Sequence, residues 1–191
     1  RSTQGYSSAA SDVYKRQSSY MSYITEAINK WGKCRTGAIT MYGAGVGVYG
    51  NSGYAYTGST PSKLKKRIEE ANSSNAEITD INITENGNYV IILGGSGYWT
   101  LGYPDAFLKK LEQYRTGDLR DDNILSACFN DRGEWVVITD KHYSYSNETI
   151  KNFILKAEEL YEEVYYAYIT NYGMIACCKN AVSYTHLTLP T

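Results

Sequence analysis

Between about residue 38 and residue 178 the chain cycles through short apolar runs, glycine-bearing turns, aromatic runs and stretches with helical periodicity. Three segments stack on one another in that order: "VGVYGNSGYAYTGSTPSKLKKRIEEANSSNAEITDINITENG", "YVIILGGSGYWTLGYPDAFLKKLEQYRTGDLRDDNILSACFNDRG" and "WVVITDKHYSYSNETIKNFILKAEELYEEVYYAYITNYG". Their landmarks recur every 43 to 46 residues. Val46, Val90 and Val136 correspond, as do Tyr54, Tyr98 and Tyr143, while Gly87, Gly133 and Gly173 close turns. Such a period is the sequence signature of a repeat architecture.

Each segment predicts a helix. In the middle one, Pro104 takes the first helical position, Phe107, Leu108, Leu111 and Tyr114 share a face, and Gly117 ends the helix in the left-handed conformation. The first segment offers Thr60 as N-cap, then Pro61, with Leu64, Ile68 and Ala71 as its stripe. The third carries Ile150, Phe153, Ile154, Ala157, Leu160, Tyr161 and Val164 on one side. A further helix is expected over about 20–31, with Tyr20, Ile24, Ala27, Ile28 and Trp31 on its apolar side.

The strands divide into two kinds. "ITDINIT" (78–84) alternates, which predicts a half-exposed antiparallel strand with Ile81 and Ile83 inward and Asp80, Asn82 and Thr84 outward. "YVIIL" and "WVVI" are apolar throughout and read as buried on both faces. "ENGN" and "DRGE" supply the glycine with positive φ that a tight hairpin uses. The fold expected is α+β: tandem repeats of a short antiparallel meander of two to three strands plus one helix, in an open array or a propeller-like ring. One unit is too small to bury its own apolar surface, so neighbours must cover one another. The units are expected at 37–77, 78–123 and 124–165, with 18–36 completing an upstream unit and 166–180 opening another.

"ENGNYVIILGGSGYW" followed by "YPDAFLKKL", and "DRGEWVVI" followed by "HYSYS", resemble tandem repeats of bacterial proteins in which a strand, an Asn-Gly or Asp-Gly turn, a "WVV" strand, a "GYW" strand and a Pro-started helix follow in order. That resemblance implies a fold and no particular activity. The period also falls in the WD40 range, without the Gly-His and Trp-Asp landmarks. Residues 1–17, including "SSAASDVYKRQ", and residues 182–191, "VSYTHLTLPT", resemble the translated reading of a sequencing-library adapter and of its reverse complement. They are set aside from fold reasoning, and the intervening chain is expected to be a fragment of a longer protein.

A net charge of −1 lacks the basic excess that phosphate backbones demand, so nucleic acid is not an expected partner. No apolar run approaches the length of a membrane span. Cys34, Cys128, Cys177 and Cys178 have no metal-ligand spacing; no metal or cofactor is expected, and the vicinal pair reads as small buried hydrophobes. "GNSGY" and "GGSGY" join two strands and so are turns rather than phosphate loops. Asp140, His142 and Ser144 alternate onto one strand face and offer a hydrolytic constellation, without a nucleophile elbow. Glu158, Glu159, Glu162 and Glu163 read as a solvated helix face, and "DLRDD" as an acidic loop without EF-hand spacing.

With 20 tyrosines, the chain is rich in rings that offer an apolar face and a hydroxyl. Tyr54 with Tyr56, Tyr98 with Trp99, and Tyr143 with Tyr145 fall at equivalent places and form a candidate aromatic column. Facing outward, it would be a ladder for glycan or peptide ligands; facing inward, the preferred arrangement, it would join strand to helix. The expected function is a non-catalytic repeat scaffold for protein or ligand interaction. Its alternatives are a hydrolase with its active residues outside this segment or at His142 and Asp140, and a glycan-binding module using the column.

Overall fold

A computed structural model describes residue 26 and residues 28–179. Three antiparallel meanders follow in order: β1 (Cys34–Ile39), β2 (Gly45–Tyr49) and β3 (Gly53–Tyr56); β4 (Ile78–Ile83), β5 (Tyr89–Leu93) and β6 (Gly97–Leu101); β7 (Ile124–Phe129), β8 (Trp135–Thr139) and β9 (Tyr143–Tyr145). After each comes one helix: α1 (Ser62–Ser73), α2 (Asp105–Thr116) and α3 (Glu148–Tyr161). A hairpin of β10 (Val164–Ile169) and β11 (Met174–Cys178) completes the described chain. The fold is therefore α+β, in small open sheets. Of the helix expected over about 20–31, residues 26 and 28–31 are described and helical; its remainder and both adapter-like ends lie outside the described residues.

Corresponding registers place corresponding residues alike. Val46, Val90 and Val136 lie opposite Tyr56, Thr100 and Tyr145, and Val48, Ile92 and Ile138 opposite Tyr54, Tyr98 and Tyr143. Each first strand carries a bulge, between Cys34 and Thr36, Ile78 and Asp80, Ile124 and Ser126, and Val164 and Tyr166. The hairpins joining first to second strands close with Gly87 and Gly133 at φ 81° and 82°, where a side chain would be strained.

The apolar cores lie between meanders rather than within them. One joins Val46 and Val48 of β2, Leu64, Ile68 and Ala71 of α1, and Ile81 and Ile91 of the next sheet. The second joins Val90 and Ile92 to Phe107, Leu111 and Tyr114 of α2 and to Ala127, Phe129 and Val137 beyond. The third joins Val136 and Ile138 to Ile150, Phe153 and Ile154 of α3 and to Ala167 and Ala176 of the last hairpin. Successive residues of β5 thus belong to different cores, and each helix is packed between two sheets. Burial of each such side chain contributes about 1.5–3 kcal/mol, and half of every core comes from the neighbour. First strands touch directly, β1 with β4, β4 with β7 and β7 with β10, whereas α1 and α3 lean on the third strands β3 and β9.

Several local expectations are corrected. "ITDINIT" is buried on both faces, with Asp80, Asn82 and Thr84 at 1%, 2% and 5% exposure, because β7 packs against it. Thr60 does not cap α1: its hydroxyl donates to the Gly45 carbonyl at 2.7 Å, and Pro61 holds the cap position. Pro104 likewise sits one place before the helix. Gly117 is extended rather than left-handed; a Cβ there would lie 2.9 Å from Gln113 Cα, so close approach selects glycine. In the third segment Glu162 at φ 66° turns the chain out of the helix, so Val164 belongs to β10; Leu160, still within α3, is exposed rather than on its buried face. β1 and β10 begin at Cys34 and Val164, ahead of the expected boundaries at 37 and 166. Cys128 and Cys178 are buried, Cys177 is half-buried and Cys34 exposed.

Candidate functional site

Third strands carry the aromatic column and also form the outer edge of each sheet. Tyr54, Tyr98, Trp99, Tyr143 and Tyr145 are half-buried and Tyr56 is exposed. Their hydroxyls turn to the following helix: Tyr56 donates to Glu69 at 2.9 Å, Tyr98 to Glu112, and Tyr143 to Glu158 at 3.0 Å. Burial, reinforced by the Glu112 carboxylate, pushes the Tyr98 phenol up to about 12. The Glu69 carboxylate raises Tyr56 and burial raises Tyr143. Tyr54 stacks on Tyr56 with centroids 5.4 Å apart and on Trp31 at 5.9 Å. Cations cover several rings: Lys65 over Tyr56, Arg67 over Trp99, Arg115 over Tyr98 and Lys151 over Tyr145.

One member departs from the column. Strand alternation puts Trp99 on the opposite face of β6 from Tyr98. Tyr98 packs with the α2 core, and Trp99 with the α1 core. The register equivalent of Tyr56 and Tyr145 is Thr100, not Trp99. Tyr98 and Trp99 form one aromatic pair in the sequence, and the pleat separates them.

Around β6 lies a groove of about 480 Å³. Its α1 side carries Lys63, Lys66 and Arg67, all exposed, with the half-buried Glu70, and its α2 side Tyr98, Tyr103 and Leu108. Leu108, expected on the buried face of α2, is half-buried and borders this groove. Arg67 is paired with Glu70 at 2.8 Å, whereas Lys63 and Lys66 have no carboxylate partner among the described residues.

A second polar feature runs along the first strands, on the face of "ITDINIT" that alternation alone assigns to solvent. Asp80 Oδ1 accepts from Thr36 Oγ1 at 3.0 Å, and its Oδ2 from the Ala127 N–H at 2.9 Å. Ser126, the register equivalent of Asp80, donates to the Ala167 carbonyl at 3.0 Å and accepts the Ala167 N–H at 3.4 Å. The bulges of β4 and β7 thus aim Asp80 and Ser126 at the backbone of the adjacent first strand, whose outer edge has no strand partner, while Thr36 at the β1 bulge donates to the Asp80 carboxylate. Burial raises Asp80 to about 6 against the donated hydrogen bonds, and burial also raises Cys128 and Tyr166. The signal in the sequence was a polar residue, Thr36, Asp80 or Ser126, at one register.

The hydrolytic constellation is dispersed. Asp140 accepts from the Asn123 N–H at 2.9 Å and from its amide at 2.7 Å, which lowers its pKa. Ser144 Oγ lies 2.7 Å from Tyr114 Oη. His142 Nδ1 instead meets the buried Asp122 Oδ2 at 2.6 Å, beside Thr139 and Lys141. Asp122, not Asp140, is the histidine's carboxylate, a pairing across a 20-residue separation that no local motif announced.

Glu158, Glu159, Glu162 and Glu163 are all exposed, but only Glu158 and Glu159 lie on α3; Glu162 and Glu163 fall past its end, in the turn to β10. No helix among the described residues is long and apolar enough to cross a membrane. No family model, no curated protein and no solved structure matches this chain.

Proposed function

We propose that the chain is part of a non-catalytic scaffold of tandem meander–helix units that binds protein, peptide or glycan partners along its outer strand edges. The observation that carries this reading is the sharing of every apolar core between successive sheets. An array built this way gains length by adding units and presents equivalent edges at regular intervals. Neighbouring units of the same chain are its first partners.

A hydrolase is the second reading, favoured by the Asp122–His142 pair, in which a buried carboxylate orients an exposed imidazole. The two part cleanly in one experiment. The chain is assayed on ester, phosphoester and glycoside substrates and, in parallel, for saturable binding to peptide and glycan arrays. The scaffold reading expects binding, and no turnover that depends on His142. Turnover lost in both His142→Ala and Asp122→Ala would replace it with the hydrolase.

A further inference from the structure

The groove at β6 combines three features that meet at neither of the other outer edges. The first is an open strand edge. β6 is the terminal strand of its sheet, and among the described residues the backbone of Gly97–Leu101 makes no hydrogen bond beyond its pairing with β5. Unpaired N–H and C=O groups in a row are a template for one more strand. Among the third strands β6 is also the longest, with five residues against four in β3, where Tyr54 is stacked beneath Trp31, and three in β9.

The second feature is the concavity. The edge forms the floor of a groove of about 480 Å³ walled by α1 and α2, which is the shape an extended segment enters. The third is asymmetry of charge. One wall carries Lys63, Lys66 and Arg67 against a single carboxylate, Glu70, which pairs with Arg67 and leaves the exposed Lys63 and Lys66 as the wall's net charge, while Tyr98, Tyr103 and Leu108 make the other wall apolar. A strand's side chains alternate between faces, so a strand laid on β6 sends every second residue to the lysines and the others to the aromatic wall.

We infer that the outer edge of β6 docks an extended acidic peptide, which adds as a fourth strand with alternate carboxylates facing Lys63 and Lys66 and alternate apolar residues facing Tyr98, Tyr103 and Leu108. A saccharide is the weaker match. The Trp99 ring, the natural platform for a sugar, already carries the Arg67 guanidinium 5.2 Å from its centroid. The backbone edge, moreover, offers main-chain pairing that only a peptide uses in full. This inference rests on the scaffold reading and specifies its partner.

The test uses the full chain and a capped eight-residue peptide of alternating Glu and Val, followed by amide hydrogen exchange and by fluorescence titration. Saturable binding is expected, with slowed exchange at alternate amides of Gly97–Leu101. Lys63→Glu combined with Lys66→Glu, both at exposed positions, should weaken binding by about tenfold or more, and added salt should weaken it too. Two N-methylated versions give the decisive comparison, because N-methylating all Glu or all Val residues blocks one strand edge and spares the other. One version should bind like the parent and the other should fail. Equal binding by both, no binding by the parent, or tighter binding of a galacturonate oligosaccharide without protection of β6 overturns the inference. Any of those results leaves the scaffold reading standing, since turnover and the array survey decide that separately.

Discussion

Asp80 Oδ2 accepts the backbone N–H of Ala127 at 2.9 Å, so a carboxylate in one meander satisfies the open edge of the next. The arrangement resolves two problems at once. A first strand has a row of backbone groups without a strand partner, and buried groups of that kind cost about 1–3 kcal/mol each when unmet. A buried carboxylate also needs donors, and Asp80 has Thr36 on one side and Ala127 on the other.

The carboxylate still suffers from burial, and the sign of its effect on stability follows. Its native pKa of about 6 lies above the ordinary aspartate value of 3.8, so the native state holds the proton more tightly than the unfolded chain. The neutral form's contribution is complete below the unfolded pKa and is lost as pH rises through about 6. A displacement of this size corresponds to about 3 kcal/mol. Urea unfolding of the parent and of Asp80→Asn should therefore show the parent losing about 3 kcal/mol relative to the variant between about pH 3 and about pH 7.5. Parallel pH profiles would show that Asp80 titrates normally.

Asp131 ties neighbouring hairpins together. Its carboxylate accepts from Thr84 Oγ1 at 2.6 Å and from the Asn86 N–H at 3.1 Å. Glu85 does the same one meander earlier, accepting the Met41 N–H at 3.1 Å. Asp131→Ala should cost about 1–3 kcal/mol and lower Tm by several degrees, measured by circular dichroism. An unchanged Tm would mean that water replaces the carboxylate at no cost.

Phe107 reports on the sharing of cores. It packs against Phe129 and Trp135 of the following sheet, with centroids 5.2 Å and 6.0 Å away, and is fully buried. Phe107→Ala should destabilise by about 3–5 kcal/mol. Because its core spans two sheets, amide exchange should accelerate in both β5 and β8. Acceleration confined to one sheet would contradict the shared core.

Two glycines should respond for different reasons. Gly133 has φ 82° and open space around it, so Gly133→Asn should be tolerated better than Gly133→Val. Gly117 has an ordinary φ but would press a Cβ against Gln113, so Gly117→Ala and Gly117→Asn should be similarly harmful. Chemical denaturation of the four variants separates strain of the backbone from lack of room.

Much of the secondary structure was legible because it is written in local patterns. The period-2 and period-3.6 spacing of apolar residues located the strands and helices, and "ENGN" and "DRGE" marked turns whose positive φ only glycine adopts easily. "YVIIL" and "WVVI" declared two-sided burial by being apolar throughout. Errors clustered where a polar residue served a distant partner. Thr60 looked like a cap but bonds Gly45, and Asp80 and Asn82 looked solvent-facing but lie against another sheet.

Of the candidate site, the sequence determined that tyrosines line the third strands at matching positions, since side-chain periodicity depends on neighbours along the chain. Only tertiary structure decided which face each ring takes and which helix covers it. Trp99 and Tyr98 are adjacent in sequence yet serve opposite cores, and His142 finds Asp122 rather than Asp140. The groove at β6 exists only because α1 and α2 flank one strand edge. Contacts of that kind depend on how layers stack, and a pattern read along one strand carries no information about what packs across it.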